Sequence, residues 1–418
     1  MKFLVLGGGS CQLNLIKYLK EKNHTVIVTD YYEDALGKKY SDFSELVSTF
    51  DLEGIVKIAQ KYKVDTIITA GTDQPVYYAS KACEILNLPN YISSDKALNV
   101  TNKKRMKKIF NDYNIPSVKY KLLNEDYNLN NIENSYFPGV VKPLDSQGQR
   151  GVFRVENRDD LDSKMKISFN FTKKKEILFE SYYKHDEITV SGWVIKGETK
   201  IFSISDRVTY NNFPHIGICI AHNYPSKHYE EYGEEIIRIT NKIVKAFKID
   251  KGPIYFQMLI GDDGIKVNEI ACRIGGAFED VYIPFASDID ILDLLIKDSL
   301  GYSINNNIKD NSINEKLKLS VQLFFANPGC IEYLSPIEDL LEEGCIIDGR
   351  YNFKVGEKIQ KIENATQRAG HFITYDLNPD NLQQKINYIF KKIKILNENG
   401  ENLVIPYNSY FYKWEVSL

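Results

Sequence analysis

The sequence predicts a protein of mixed α/β and α+β class, with an N-terminal parallel βαβ domain, a strand-rich central domain and a small C-terminal α+β domain. Three observations carry this. Strands and helices alternate over the first hundred residues. Short strands joined by glycine-bearing loops fill residues 118–270. The polar, Asn-rich stretch Asn305–Ser312 then reads as an exposed linker ahead of a last group of strands and a helix. At 418 residues the chain suits two to four domains.

In the N-terminal part, Phe3–Leu6 is a buried-strand pattern, followed by Gly7-Gly8-Gly9-Ser10 and a helical run from about Cys11 to Lys22. Thr25–Thr29 gives a second strand ending at Asp30, Leu52–Tyr62 a helix and Thr66–Thr69 a third strand, so a parallel sheet is expected. The loop Ala70-Gly71-Thr72-Asp73 sits at the carboxyl end of that strand, where open parallel sheets bind ligands. Asp73 either contacts a substrate there or caps the next helix. Gly7, Gly9 and Asp30 have roughly the spacing of a dinucleotide site, but Gln12 stands at the third glycine position. A substrate pocket or a structural turn is therefore the better reading.

The central part opens on a helix, Thr101–Tyr113, with Thr101 at its N-cap. Its run Lys103-Lys104-Arg105-Met106-Lys107-Lys108 reads as one polar helix face. After a strand at Val118–Leu122, the strand Val140-Val141-Lys142-Pro143 ends in a lysine and leads into Asp145-Ser146-Gln147-Gly148-Gln149-Arg150-Gly151. Glycines let backbone N–H groups turn towards a polyphosphate, and a lysine adds a compact mobile charge. The GK[ST] ending of a Walker A loop is absent, and a plain hairpin turn is the competing reading. Strands at Glu176–Glu180 and Glu187–Val194 are joined through Ser181-Tyr182-Tyr183, a connector whose backbone can pair with a purine edge, and the Glu187 carboxylate can accept from ribose hydroxyls. Glu230–Phe247 is an amphipathic helix burying Ile236, Ile237, Ile243, Val244 and Phe247.

Ile254–Ile260 and Ile265–Ile270 form a hairpin around Gly261-Asp262-Asp263-Gly264. Hairpin pairing can set Gln257 beside Glu269, a perch for Mg²⁺, which takes one or two protein oxygens and fills its other positions with phosphate and water. Arg273 follows, just before Gly275-Gly276. The alternative is an ordinary hairpin with an exposed acid at its end.

Composition excludes several classes. Charged residues make up 26% and hydrophobic ones 43%, and a net charge of −3 offers no general attraction to nucleic acid or anionic membrane. The six cysteines show no CxxC and no zinc-ligand spacing, and no apolar run reaches transmembrane length. A signal-peptide pattern is absent, so a cytoplasmic protein is expected. No Ser/His/Asp or Cys/His set stands out, and strand alternation marks Cys272 as a buried thiol rather than a nucleophile.

Taken together, Lys103, VVKP at 140–143, DSQGQRG at 145–151, FESYY at 179–183, Glu187, Gln257 and NEIACRIGG at 268–276 resemble the ATP-grasp superfamily of carboxylate–amine ligases, over about residues 101–300. The resemblance implies a pre-ATP-grasp domain at 1–100, a two-lobed ATP-grasp domain at 101–304 with its small lobe at about 115–183, and a C-terminal domain at 313–418. It implies that Lys103 and Lys142 hold ATP phosphates and that Ser146, Gln147, Gly148, Gln149 and Gly151 close over them. Glu180, Ser181 and Tyr183 would receive adenine and Glu187 the ribose. Gln257 and Glu269 would hold Mg²⁺, with Mn²⁺ as a substitute, and Arg273 would neutralise an acyl phosphate. Asp73, Gly275, Gly276 and Arg207 would border the substrates; for Arg207 the choice lies between a carboxylate clamp and a surface ion pair.

Two departures stand out: Gln257 replaces the family's usual glutamate, and Ala271 stands where many members have asparagine. Asn268 neighbours Glu269, and strand alternation turns it to the opposite face. The C-terminal part, with strands at Leu319–Ala326 and Gly370–Tyr375, a helix near Pro379–Ile395 and the motif Gln367-Arg368-Ala369-Gly370, resembles the amino-acid-ligase branch. The activity implied is ATP-dependent joining of a small carboxylate to an amine, with an amino acid as one partner, in a protein for which a homodimer is compatible. Two alternatives are a purine-pathway ligase, such as one joining glycine to phosphoribosylamine, and an ATP-binding scaffold without turnover.

Overall fold

The apolar run Lys2–Leu6 (β1) folds as an inner strand of a parallel sheet, covered on both faces. The protein is described here from a computed structural model covering residues 1–146, 149–212, 215–304, 308 and 313–407. Helix Leu13–Glu21 (α1) follows, then Thr25–Thr29 (β2), Phe43–Glu45 (β3), Leu52–Tyr62 (α2) and Thr66–Ile68 (β4). The sheet order is β3-β2-β1-β4, all parallel, as the alternation predicts. Because strand residues alternate, Phe3 and Val5 enter one core with Leu15 and Ile16, while Leu4 and Leu6 enter another with Ile55 and Ala82. The first core continues into Ile188, Trp193 and Ile254, so the N-terminal sheet is packed onto the central part without an apolar break.

Helices Gln74–Leu86 (α3), Ser94–Thr101 (α4) and Lys103–Asp112 (α5) lead into the centre. Thr101 ends α4 instead of capping α5. The cap is Asn102, whose side chain accepts from the Arg105 N–H. Next come Tyr120–Asn124 (β5), Gly139–Pro143 (β6), Phe153–Val155 (β7), Arg158–Phe169 (α6) and Glu176–Ser181 (β8). Strands β5-β8-β6-β7 and α6 enclose a separate core around Val141, Phe153, Leu161, Met165 and Phe179.

The larger face comprises Asp186–Ile195 (β9), Glu198–Asn212 (β10), His215–Tyr224 (β11), Tyr229–Ala246 (α7), Gly252–Gly261 (β12) and Gly264–Ala271 (β13). Its order is β13-β12-β9-β10-β11, and it meets the smaller group through one backbone pair, His215 of β11 with Phe153 of β7. The β12–β13 hairpin forms as predicted, with Gly264 at φ +78° where a side chain would strain the turn. Helix α7 buries Ile236, Ile239, Ile243 and Val244; Ile237 lies one position off that stripe and is half-buried.

Helices Glu279–Ser287 (α8) and Ile291–Ser299 (α9) precede the linker, most of which lies outside the described residues. The last part holds Lys318–Gln322 (β14), Gly329–Cys330 (β15), Tyr333–Leu334 (β16), Glu338–Glu342 (α10), Asp348–Tyr351 (β17), Lys358–Ile359 (β18), Gly370–Asp376 (β19), Pro379–Lys392 (α11) and Ile395–Leu396 (β20). Strand β14 pairs with β11 on one side and β19 on the other, so the C-terminal strands extend the central sheet. Among the described residues that sheet has 12 strands. Beyond it, Phe324, Phe372, Ile389 and Phe390 form a further core.

Candidate active site

One cleft of about 1960 Å³ runs between the N-terminal sheet, both central strand groups and the C-terminal part. That exceeds the few hundred to about 1,000 Å³ of a single-ligand pocket and leaves room for more than one reactant.

Helical spacing organises the first wall. Lys103 and Lys107 are four apart on α5 and share a face. Lys103 Nζ lies 3.5 Å from Glu269 Oε1 and donates to the Ser146 carbonyl at 3.3 Å. Lys107 Nζ meets Glu180 Oε1 at 2.6 Å, and the other oxygen of Glu180 meets Lys142 Nζ at 2.6 Å. Lys142 also donates to Asn268 Oδ1 at 2.9 Å. The polar-face reading of the lysine run therefore fails at Lys107, whose side chain is only 2% exposed. The signal available in the sequence was its spacing from Lys103.

The charges in this network oppose burial with unequal success. Burial would raise the Glu180 carboxyl, but Lys107 and Lys142 together hold it at about 2. Burial would lower Lys142, yet Glu180 and Glu269 leave it raised; at Lys107 burial wins and the ammonium is depressed. Glu269 is held below the usual carboxylate range, burial being overcome by Lys103 and Lys142. A preformed set of cations and carboxylates thus faces the cleft from β6, β8, α5 and β13.

Gln257 and Glu269 are direct cross-strand partners, as the hairpin reading predicts. The expectation that Asn268 points away is overturned. The register slips between Gln257 and Met258, because Gln257 pairs with Glu269 but Met258 with Val267. Asn268 is the extra residue of a β-bulge, which suspends the alternation. Its amide therefore enters the cleft, 3.5 Å from Gln257 Oε1 and in reach of Lys142. Among the described residues no group of three or more His, Cys, Asp or Glu could hold a metal. One carboxylate flanked by two amide oxygens fits a divalent cation that draws its other ligands from phosphate and water.

Along the next stretch, Ser146, Gln149, Glu180, Ser181, Tyr183 and Glu187 all line the cleft; Gln147 and Gly148 lie outside the described residues. Ser146 Oγ donates to the Arg150 carbonyl at 2.9 Å, and Gly151 takes φ +72°. The Ser181 N–H is spent on the Lys119 carbonyl, and the Tyr183 hydroxyl donates to the Gly264 carbonyl at 2.7 Å. Glu187 accepts from Arg207 Nη1 at 2.7 Å with both side chains under 10% exposed, so the Arg207 pair is buried rather than on the surface. Burial would lower the Arg207 guanidinium, but Glu187 with Cys219 and Tyr255 leaves it raised.

At the far end, Arg273 Nε donates to Asp73 Oδ1 at 2.7 Å, and its guanidinium lies 4.3 Å from the Tyr255 ring centroid. Asp73 occupies the N-cap position of α3 without capping it, which settles that alternative. Gly276 lines the cleft; Gly275 instead abuts the fully buried Glu279. Arg368, from the motif Gln367-Arg368-Ala369-Gly370, also lines the cleft, as do Cys11 and the buried His222, lowered by burial to about 4. Cys272 is buried, and burial raises its thiol to about 12. A dinucleotide loop is ruled out by contacts: the Gln12 amide fills the glycine turn, accepting from Gly9 N–H and donating to the Ala70 carbonyl, while Asp30 accepts from Gly8 N–H.

Residues 135–280 match the family model described as the ATP-grasp domain. The chain is 27% identical over 199 residues to a D-alanine–D-alanine ligase of Flavobacterium psychrophilum, covering 45% of this chain and 57% of that protein. It is 26% identical over 308 residues to a phosphoribosylamine–glycine ligase of Methanosphaera stadtmanae, covering 66% of this chain and 67% of that one. The fold superposes with TM-score 0.79 on an L-amino acid ligase from Bacillus licheniformis, at 17% identity over 95% of this chain and 99% of that one. It superposes with TM-score 0.75 on a phosphoribosylglycinamide synthetase from Anaerococcus prevotii, at 16% identity over the same shares. Residues 135–280 thus match the ATP-grasp domain, and the chain shares its overall fold with these two ligases.

Proposed function

We propose that the protein is an ATP-dependent ligase that activates a small carboxylate as an acyl phosphate and couples it to an amine, with an amino acid as one partner. The observation that carries this reading is the convergence of Lys103, Lys142 and Glu269, from three separate elements, on one end of a cleft large enough for ATP and two substrates.

In this reading Lys103 and Lys142 bind the phosphates of ATP, which is a substrate, and the loop from Ser146 to Gly151 covers them. The connector Ser181–Tyr183 borders the adenine. Glu180, with both oxygens on lysines, fixes those lysines in place. Glu187 reaches the ribose from its pair with Arg207. Gln257, Glu269 and the bulged Asn268 would hold Mg²⁺ or Mn²⁺, which supplies charge neutralisation on the phosphates when bound. The carboxylate oxygen of the substrate attacks the γ-phosphorus, the bond to ADP breaks, and the amine then displaces phosphate from the acyl carbon. Such transfer needs alignment and neutralised charge rather than a protein nucleophile. Arg273, aimed by Asp73, faces the acyl phosphate, and Gly276 leaves room beside it.

The division at 1–100, 101–304 and 313–418, a cytoplasmic setting and a homodimer belong to the same reading. Among the described residues no helix is long and apolar enough to cross a membrane. The similarity to a phosphoribosylamine–glycine ligase favours a second reading, in which the amine is a phosphoribosylamine. ADP release measured over pairs of amino acids and small carboxylates tests the ligase reading, with Lys142→Ala as control. Substrate-dependent ADP release lost in Lys142→Ala is expected. ATP binding without release for any pair would defeat it in favour of a scaffold.

A further inference from the structure

Ion pairing at the substrate end of the cleft is uneven. Among the arginines that line the cleft, Arg207 has its own acid, Glu187 at 2.7 Å, and Arg273 has Asp73 at 2.7 Å. Arg368 has none among the described residues. Its Nη2 donates to the Cys219 carbonyl at 3.3 Å, and its Nε is buried without a hydrogen-bond partner. Burial depresses this guanidinium, and the like charge of Arg207 adds to the effect. His222 beside it is neutral near pH 7 and supplies no counter-charge. A half-buried guanidinium held without a counter-ion is unfavourable, and a neutral carbonyl offsets only part of that.

We propose that Arg368 is the anchor for a single carboxylate carried by the amine-donating substrate. The planar guanidinium fork matches a carboxylate, and its buried Nε has no hydrogen-bond partner within the protein. A phosphate monoester carries close to two charges, and the neighbouring Arg207 is already committed to Glu187, so Arg368 by itself matches the single charge of a carboxylate. The amine donor is thus a free amino acid or a peptide with a free carboxyl end, not a phosphoribosylamine. This deepens the ligase reading and rests on it.

The test compares amine donors in matched pairs, each amino acid against its carboxamide, with ATP and the carboxylate substrate held constant. The free acid is expected to exceed its amide in kcat/KM by about 100-fold or more, as for a buried polar group that must be paired. In Arg368→Ala that ratio should collapse to within about threefold, with KM for the amine raised and KM for ATP unchanged; Arg368→Lys should keep part of the preference. A general folding defect lowers both donors alike and leaves the ratio intact. ADP release that ignores the carboxyl group, or a shift in KM for the carboxylate substrate instead, overturns the proposal and leaves the ligase reading standing. If no pair gives ADP release, the ligase reading fails, and the same acid–amide pairs are scored by thermal shift with MgADP. Stabilisation by acid and amide alike then overturns the Arg368 anchor too, whereas stabilisation by acids alone, lost in Arg368→Ala, upholds it.

Discussion

Glu180→Gln is the most informative single change, because it removes the only carboxylate that pairs with Lys107 among the described residues. Glu180 and Lys107 are each 2% exposed, and Glu180 bridges Lys107 and Lys142 with 2.6 Å contacts on its two oxygens. Lys142 keeps Asn268 at 2.9 Å and the nearby charge of Glu269. Lys107 keeps the charge of Glu269 at longer range but no direct partner among the described residues. Removing one member of a buried pair typically costs about 3–5 kcal/mol, and the upper part of that range applies while Lys107 stays charged. Burial already depresses Lys107, so in the variant it can escape by losing its proton. Its folded pKa then lies still further below the unfolded value. Stability lost to this group is therefore greatest at low pH and is recovered as pH rises towards the unfolded pKa. Urea denaturation of both proteins at pH 7 and pH 9.5 reads this directly. A deficit of several kcal/mol at pH 7 that narrows at pH 9.5 is expected. A deficit below about 1 kcal/mol, the size of an exposed pair, or one equal at both pH values, refutes the argument.

Asn268→Asp adds a charge at the bulge and should raise Mn²⁺ affinity about tenfold in the presence of a non-hydrolysable ATP analogue, since ligand charge count sets affinity for hard cations; paramagnetic resonance showing unchanged affinity would contradict the placement of Asn268. Without nucleotide, the same method should find no tight Mn²⁺ in the wild-type protein. His222→Gln should reduce acid sensitivity: burial lowers His222 from 6.5 to about 4, so its stability contribution is full above pH 6.5 and is lost as pH falls towards 4. The wild-type loss is about 3 kcal/mol over that window, and denaturation curves for the two proteins that stay parallel from pH 7 to pH 4 would count against it. Gly276→Ala places a Cβ 2.6 Å from the Gly71 carbonyl oxygen, across the junction that the Gly71 N–H to Ile274 carbonyl bond closes. Overpacking there should cost about 1–3 kcal/mol and lower turnover; an unchanged melting temperature would show that the junction yields freely.

What the sequence made legible follows local periodicity. The parallel N-terminal strands, the β12–β13 hairpin and the facing of Gln257 on Glu269 follow from apolar runs, a two-glycine turn and pairing of adjacent strands. The ordered set of motifs carried the family. Asn268 escaped because a bulge is a register event between two strands, and alternation within either strand alone cannot reveal it. Lys107 looked like its exposed neighbours, since only the tertiary position of β8 makes that face of α5 an interior one. Arg368 and His222 meet the same cleft from distant parts of the chain, and the bond from Arg368 to the Cys219 carbonyl spans 149 positions. No local pattern encodes such contacts. The N-cap of α5 was misplaced by one residue because Thr101 and Asn102 are both good caps, and the preceding α4 claims the first of them.

The central claim is that a substrate carboxylate is phosphorylated in the cleft. The most direct measurement supplies ATP, Mg²⁺ and a pool of amino acids and small carboxylates, all labelled with ¹⁸O in their carboxyl groups, and follows the released phosphate by mass. The account predicts one ¹⁸O atom per phosphate formed, lost together with ADP release in Lys142→Ala. ADP and phosphate formed in step with ligated product, but with no label in the phosphate, would contradict it.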